Sequence, residues 1–473
     1  MIKAKKVISG VLLFVVSQFD GKAQELRGFT TSPWSGVAQL SDNPASIAGH
    51  MYKWDFILAG ASFSTDNDFL YWNKNNTRFQ FNDDELSLSP HTNHTYFSHT
   101  QSIHGPAFMF SVNDRTALAI GMRSRAQVSV FNVSSSLSNV FAAYASESET
   151  TAAATNDQVS LSAAVWQEYF VTYATVISNA GLSRQKVGIT PKLLIGNSQV
   201  QGDFSRIQFT QNGNQGTLNA ATGSIHYSHN LDSIRPVNAL LGTNGYGFAV
   251  DIGYEMEYGT NGRSCGFRSY ARPTVCSGPT YLYKFGISLT DVGFLRFKNG
   301  QYATDLTYED GEGVVFSDWI SGIDNSAQAS DSINAIANTE SNTGAYYTSI
   351  PTQLRMDFDY HVYKSVYVST QGQLSLSQVF RQNTTARPAE LNVTPRVENN
   401  GFGVYAPLSI NQYGNFDYGL GLRAGPVVLG VTDLNAVFSK QPVNDLGAYI
   451  MFKSYFRCKS KKGRSGKVIC PSI

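Results

Sequence analysis

Tyr246-Gly247-Phe248-Ala249-Val250-Asp251-Ile252-Gly253-Tyr254-Glu255-Met256-Glu257-Tyr258 alternates with a period of two. The even positions are aromatic or aliphatic, and the odd ones are small or acidic. Successive side chains of a strand point to opposite faces, so one face here is wholly apolar and the other carries three carboxylates. Such a strand, repeated around a chain, is what a transmembrane β-barrel needs, with lipid outside and polar packing inside.

The pattern recurs. Leu354, Met356, Phe358, Tyr360 and Val362 alternate with Arg355, Asp357, Asp359 and His361, and a short turn at 363–365 leads into Val366, Val368 and Thr370. Phe108, Phe110 and Val112 with Leu118, Ile120 and Met122 read as a hairpin across Asn113-Asp114-Arg115, with Arg123, Arg125 and Gln127 on the polar face. Tyr281–Leu289, Phe402–Ile410, Phe416–Ala424, Val427–Val431 and Ala448–Phe456 continue it, while 203–228 and 297–316 alternate weakly. The reading is an all-β, antiparallel barrel of about 14 strands, an even number being the rule for bacterial barrels. Segments 82–104, 133–165, 259–280 and 317–347 read as long loops, the last with room for a short helix. Against the tight turns they predict two unlike rims, short turns in the periplasm and long loops outside.

Composition agrees. Aromatic residues make up 12% and charged residues only 15%, against about 25% charged in ordinary soluble domains. A net charge of +1 gives no reason to expect a nucleic-acid partner. Lys3, Lys5 and Lys6, the apolar run Val7–Val16 and Gly21-Lys22-Ala23 read as a signal peptide cut near Ala23. No run is long enough for a membrane-spanning helix. The expected organisation is a leader at 1–23, an amino-terminal segment at 24–52, a barrel at 53–457 and a basic tail at 458–473.

Several residues are candidates for special chemistry. Asp251, Glu255, Glu257, Arg355, Asp357, Asp359, His361 and Arg423 should face the lumen, as a polar path or as charges that neutralise one another. Cys265 with Cys276, and Cys458 with Cys470, form two local pairs that an exported protein can oxidise, with crossed pairing or free thiols as alternatives. His91, His94, His99 and His104 crowd one segment, but their spacing matches no closed metal site, and an ordinary polar loop is the expectation. The tail, with Arg457, Lys459, Lys461, Lys462, Arg464 and Lys467, could grip anionic lipid or an acidic partner, or merely be solvated. No catalytic motif, cofactor loop or metal set stands out, and a non-enzymatic protein without cofactor is expected.

Asn43-Pro44-Ala45, just ahead of the first strand, resembles a segment of FadL-like barrels, in which the mature amino terminus folds into the lumen as a hatch. Gly245–Gly253 and Gly286–Gly293 resemble mid-barrel signatures of Bacteroidota outer-membrane proteins, shared by PorV-like barrels. Gly403–Leu408 and Gly421–Pro426 resemble one uncharacterised Bacteroidota barrel family, some members of which carry an OmpA-like peptidoglycan-binding domain that does not follow the last strand here. The resemblance implies outer-membrane location, lipid contact and a plugged lumen. The leading functional expectation is a component of an outer-membrane secretion or assembly complex with other outer-membrane or periplasmic proteins. The alternative is a FadL-like transporter or pore with a small-molecule ligand, although the charged lumen argues against an apolar one. A barrel enzyme is the remaining option.

Overall fold

Lipid offers a backbone N–H or C=O no hydrogen-bond partner, so a membrane-spanning sheet has to close on itself. The computed structural model describes residues 26–68, 70–72, 86–88, 94–137, 152–156, 159–212, 215–232, 242–259, 281–315, 328, 331, 334, 337–342, 344–376, 387–438 and 443–456. It is a closed antiparallel barrel of 14 strands. In chain order these are β1 (Trp54–Asn67), β2 (His94–Ser111), β3 (Thr116–Ser134), β4 (Val159–Ala180) and β5 (Ser183–Asn212). There follow β6 (Gly245–Gly259), β7 (Tyr281–Lys298), β8 (Ala345–Ser349, resumed as Gln353–Tyr363), β9 (Val366–Ser375) and β10 (Glu390–Glu398). The circuit ends with β11 (Phe402–Tyr405 and Leu408–Asn411), β12 (Phe416–Tyr418 and Leu420–Ala424), β13 (Val427–Val431) and β14 (Leu446–Phe456). Each strand pairs with the next, and β1 closes on β14 from Trp54↔Phe456 to Thr65↔Leu446.

The two faces differ as the alternation requires. Ile120 (59% exposed), Leu193 (57%) and Ile252 (53%) stand on the outer surface, while their neighbours Ala119, Lys192 and Asp251 are buried. Further outward residues on other strands, among them Phe358, Leu391, Phe402 and Phe452, extend this apolar surface around the barrel. That is the pattern of a barrel solvated by hydrocarbon.

One rim carries the tight turns at 112–115, 181–182, 364–365, 399–401 and 425–426. At the first, Asn113 Oδ1 accepts the N–H groups of Arg115 (2.8 Å) and Thr116 (2.9 Å), closing an Asx turn. The second uses Gly181 at φ 59°, a conformation that costs a glycine nothing. The loop expectations need correction at several places; Ala152–Asn156, Asn338–Ser341 and the start of Ala345–Ser349 are strands inside expected loops. Residues 94–104 belong to β2 and 159–165 to β4, because both pair fully with their neighbours. The segment 260–280 joins β6 to β7 on the tight-turn rim, where Gly259 faces Tyr281.

The weakly alternating stretches are strands as well. β5 runs on past the apolar surface to Asn212 and pairs there with Gln215–Tyr227, which in turn pairs with Thr304–Val315 and that with Asn338–Ser341. This extension stands beyond the apolar surface, so no lipid imposes strict alternation on it. Phe204, Leu218, Ala221, Leu306 and Tyr308 pack together within it instead.

Leu193→Arg on the lipid face should lower stability in bilayers by about 2–4 kcal/mol, the cost of a cation near the midplane. Urea unfolding in vesicles measures it; an unchanged midpoint would remove Leu193 from the lipid face.

Candidate functional site

The inner wall of the barrel is met by the chain's own amino-terminal segment. Residues 26–52 contain two short 3-10 turns, Gly36–Ser41 and Pro44–Ile47, and most of their side chains are buried. The sequence explains the second turn. Asn43 is extended and accepts the Ala45 N–H on its Oδ1 (2.9 Å), Pro44 supplies a preset φ at the first helical position, and Ser46 Oγ donates to the Asn43 carbonyl (2.7 Å). Phe29, Trp34, Val37, Leu40 and Ile47 pack against inward residues of the wall, chiefly small or slender ones such as Ala107, Ala117, Ala119, Ala174, Val176 and Val428.

Asn43-Pro44-Ala45 sits in a groove made of glycine. Gly188 of β5 and Gly253 of β6 are cross-strand partners, and Gly286 of β7 pairs with Glu255, two residues along β6. A Cβ at Gly188 would collide with the Pro44 carbonyl, and one at Gly253 with Asn43 Oδ1; at Gly286 it would meet Asp357 and, at 2.9 Å, Asn43 Nδ2. Asn43 Nδ2 donates to the Tyr254 carbonyl (3.0 Å), and Ser288 Oγ to the Asp42 carbonyl.

Charged contacts fasten the rest. Asp42 accepts from Arg355 and from Gln371 Nε2 (2.7 Å). Arg27 binds Glu390 (2.8 Å), Asp417 (3.2 Å) and Ser409 (3.0 Å). Ser32 donates to Glu398 (2.5 Å), and Lys453 Nζ to the carbonyls of Trp34 (2.9 Å) and Ser35 (2.6 Å) while pairing with Asp55 (3.2 Å).

The acidic residues singled out from sequence lie in networks. Asp251 pairs with Lys192 (2.7 Å), which also binds Asp291 (2.6 Å); Arg125 joins Asp291 (2.7 Å) to Glu168 (3.0 Å), and Arg123 adds a second contact to Glu168 (2.7 Å). Glu255 and Glu257 share Lys186 (2.7 and 2.5 Å), with Lys284 3.6 Å from Glu255 and Arg184 on Glu257. Asp359 binds Arg396 (2.5 Å) and Tyr281, and Arg396 also holds Glu398 (2.7 Å). Asp357 borders the glycine groove. Arg423 contacts the Tyr405 hydroxyl (3.2 Å) and lies over the Trp34 ring. His361 is at the rim, its Nε2 against the Lys364 carbonyl (2.7 Å), apart from these networks.

The cations that sequence reading did not single out, Lys186, Lys192, Lys284 and Lys453, alternate with apolar residues in their own strands and were legible by the same rule. Asp291 was not. It has φ 58° at a bulge where its N–H donates to Asp251 Oδ1 (2.7 Å), a local departure that no period signals.

Of His91, His94, His99 and His104, the two whose side chains are described do not converge. His99 and His104, five residues apart, point to opposite faces of β2, His99 to Thr65 Oγ1 (2.8 Å) and His104 to Ser62 Oγ (2.8 Å). Among the described residues, Asp66, Asp417 and Asp445 bring carboxylate oxygens within 4.8 Å of one another. Arg27, Tyr96, Asn411, Asn415 and the Asn67 N–H already donate to them. The leader, His91, all four cysteines and the basic tail lie outside the described residues.

The groove makes a sharp prediction. Gly253→Ala should expel Asn43, and maleimide labelling of Ala38→Cys, buried at 4% exposure, should accelerate severalfold in a background with the native cysteines replaced. Unchanged labelling would mean the glycine is not a seat.

Half-buried His50 gives a pH dependence. Burial, with Lys186 and Lys453 nearby, holds its imidazole well below the usual range. A released His50 titrates near 6.5, so below that pH the released segment takes up a proton that the seated one refuses, and acid favours release. Labelling at Ala38→Cys, scaled to a cysteine on an exposed turn, should be faster at pH 5 than at pH 7.5, and His50→Phe should flatten the difference.

A family model described as "Family of unknown function (DUF5723)" matches residues 44–433. No curated protein matches the chain. Among solved structures, a Pseudomonas aeruginosa FadL homologue is similar at 9% identity, with 93% of this chain and 99% of that one covered and a TM-score of 0.38. The TodX deltaS2S3 mutant monoaromatic hydrocarbon channel is similar at 9% identity (90% and 95% covered, TM-score 0.39). So is the Ralstonia pickettii toluene transporter TbuX (9% identity, 92% and 96% covered, TM-score 0.24). Likeness at this level transfers no substrate.

Proposed function

The chain belongs to the family of unknown function DUF5723, and from its geometry we propose that it is an outer-membrane barrel passing small water-soluble molecules when its amino-terminal segment moves. The carrying observation is the set of contacts that residues 26–52 make with inward-facing residues of the wall, which supports their lying across the lumen. These residues are held by hydrogen bonds, by the ion pairs of Arg27 and Asp42 and by apolar packing against the wall, and are tethered at one end to β1. Behind them the wall is charged but balanced, with Lys192, Arg123 and Arg125 set against Asp251, Asp291 and Glu168. Such a surface solvates polar solutes and gives a hydrocarbon little. In this reading the segment is a hatch, and Arg27, Asp42 and Asn43 are its fastenings.

Conductance in planar bilayers tests the proposal. The intact barrel should be nearly silent, deletion of residues 26–50 should give steady openings, and Arg27→Ala should give frequent ones. The last removes the cation from buried Glu390, a change that costs about 3–5 kcal/mol where a buried pair is broken. A deletion variant that folds yet stays silent would sink the proposal.

A second reading, a component of an outer-membrane assembly, is favoured by the sheet extending beyond the apolar surface, built on β5 and the strands 215–227 and 304–315. Mild-detergent pull-down with mass spectrometry distinguishes the two: stoichiometric partners lost on deletion of 215–227 would support assembly, and a lone barrel would support transport.

A further inference from the structure

At the rim opposite the tight turns, β7 ends with Phe294, Arg296 and Lys298 on its outer face. Their alternates Leu295 and Phe297 are buried inside the wall with Trp166, Leu194 and Tyr346. Register sets Arg296 between two tyrosines, Tyr246 of β6 on one side and Tyr347 of β8 on the other. These rings are 60% and 64% exposed, and Phe248, Val292 and Phe294 continue the apolar outer surface toward the other rim. Tyrosine gathers where hydrocarbon gives way to headgroups, so the row Tyr246, Arg296, Tyr347 marks that boundary.

The two cations at this boundary have no carboxylate partner among the described residues. Arg296 Nη1 donates to the Tyr246 hydroxyl (2.6 Å), and the guanidinium lies 5.6 Å from the centroid of that ring. The contact orients the planar fork and leaves its other N–H groups to offer. Lys298 is exposed and stands two residues further along the same face, about 6.6 Å along the strand. The other described cations face the interior, stand on the tight-turn rim or, like Arg206 with Glu309 (2.9 Å), are paired. A lipid-facing cation is costly at the bilayer midplane and tolerated at the interface, which is where this pair sits.

We infer that Arg296 and Lys298 hold the phosphomonoester of a lipid headgroup, whose acyl chains lie along Phe248, Val292 and Phe294. A phosphomonoester carries a charge of about −1.5 to −2 near neutral pH and presents three acceptor oxygens. It therefore answers a guanidinium fork and an ammonium together, which the single charge of a phosphodiester does less well. A lipid fits better than a dissolved anion, because the cations stand on the wall that faces hydrocarbon, directly beside apolar surface that acyl chains cover. The site belongs to the outer wall and does not depend on whether the lumen opens.

Native mass spectrometry of the full-length barrel in detergent, titrated separately with diphosphoryl lipid A, phosphatidylglycerol and phosphatidylcholine, provides the test. Lipid A should form its adduct at the lowest concentration and phosphatidylcholine at the highest. Arg296→Gln combined with Lys298→Gln, shown folded by heat-modifiable gel mobility, should weaken the lipid A adduct about thirtyfold, as loss of two surface cations would. Lys364→Gln, at the opposite rim, should leave it unchanged. If the double variant does not fold, Lys298→Gln alone takes its place, with a loss of about fivefold. Equal affinity for the three lipids, an unaltered adduct in the folded variant, or an equal loss in Lys364→Gln would overturn the assignment. Displacement of lipid A by inorganic phosphate would overturn it as well, since the site would then be one for the free anion.

Discussion

Closure is the constraint from which the other features descend. Fourteen strands joined edge to edge leave no unpaired backbone facing lipid, but they also turn every second side chain toward a confined interior. A carboxylate there cannot rely on bulk water, so it needs a cation within reach. Lys186, Lys192, Arg123, Arg125, Arg396 and Lys453 meet that need, most of them from a neighbouring strand and Lys453 from the far end of the chain. The same confinement supports the hatch proposed for the amino-terminal segment. Its carbonyls and its own charges complete a hydrogen-bonding wall, and its apolar side chains cover the stretch where that wall is lined by alanine and valine.

Much of this was legible in the sequence because lipid enforces a strict period. Tyr246–Tyr258 and Leu354–Val362 could be assigned face by face, since a single slip would place a carboxylate in hydrocarbon. Where lipid is absent the signal fades, as in Phe204–Asn212 and Thr304–Val315, strands whose pairing is interrupted by register shifts at Phe204/Arg206, Gln208/Phe209 and Glu309/Val314. Residues 94–104 misled for another reason. Their histidines, serines and threonines have the composition of a loop, yet they pair with β1 and β3 along their length.

The location of the segment followed from no period at all. Asn43-Pro44-Ala45 announced a compact turn, but its seat is written in three distant glycines, Gly188, Gly253 and Gly286, whose common trait is the missing side chain. A glycine in a strand reads from sequence as a weakness or a bend; here it is room left for another part of the chain. The pairing of Asp42 with Arg355, across more than three hundred residues, was equally invisible to local reading.

The order of the chain adds a consequence of its own. In the proposed hatch arrangement residues 26–52 come first, and the ring around them is completed only when β14, at the far end of the chain, reaches β1. The segment therefore enters before the last seam is made or threads an already closed cylinder from its tight-turn end, where it joins β1. In the first case the encircled piece acts as a mandrel around which the wall is wound, and its sequence is answerable for the speed of assembly as well as for the finished interior. In the second, winding and filling are separate events, and a cylinder without its core exists for a time on the way to the native state.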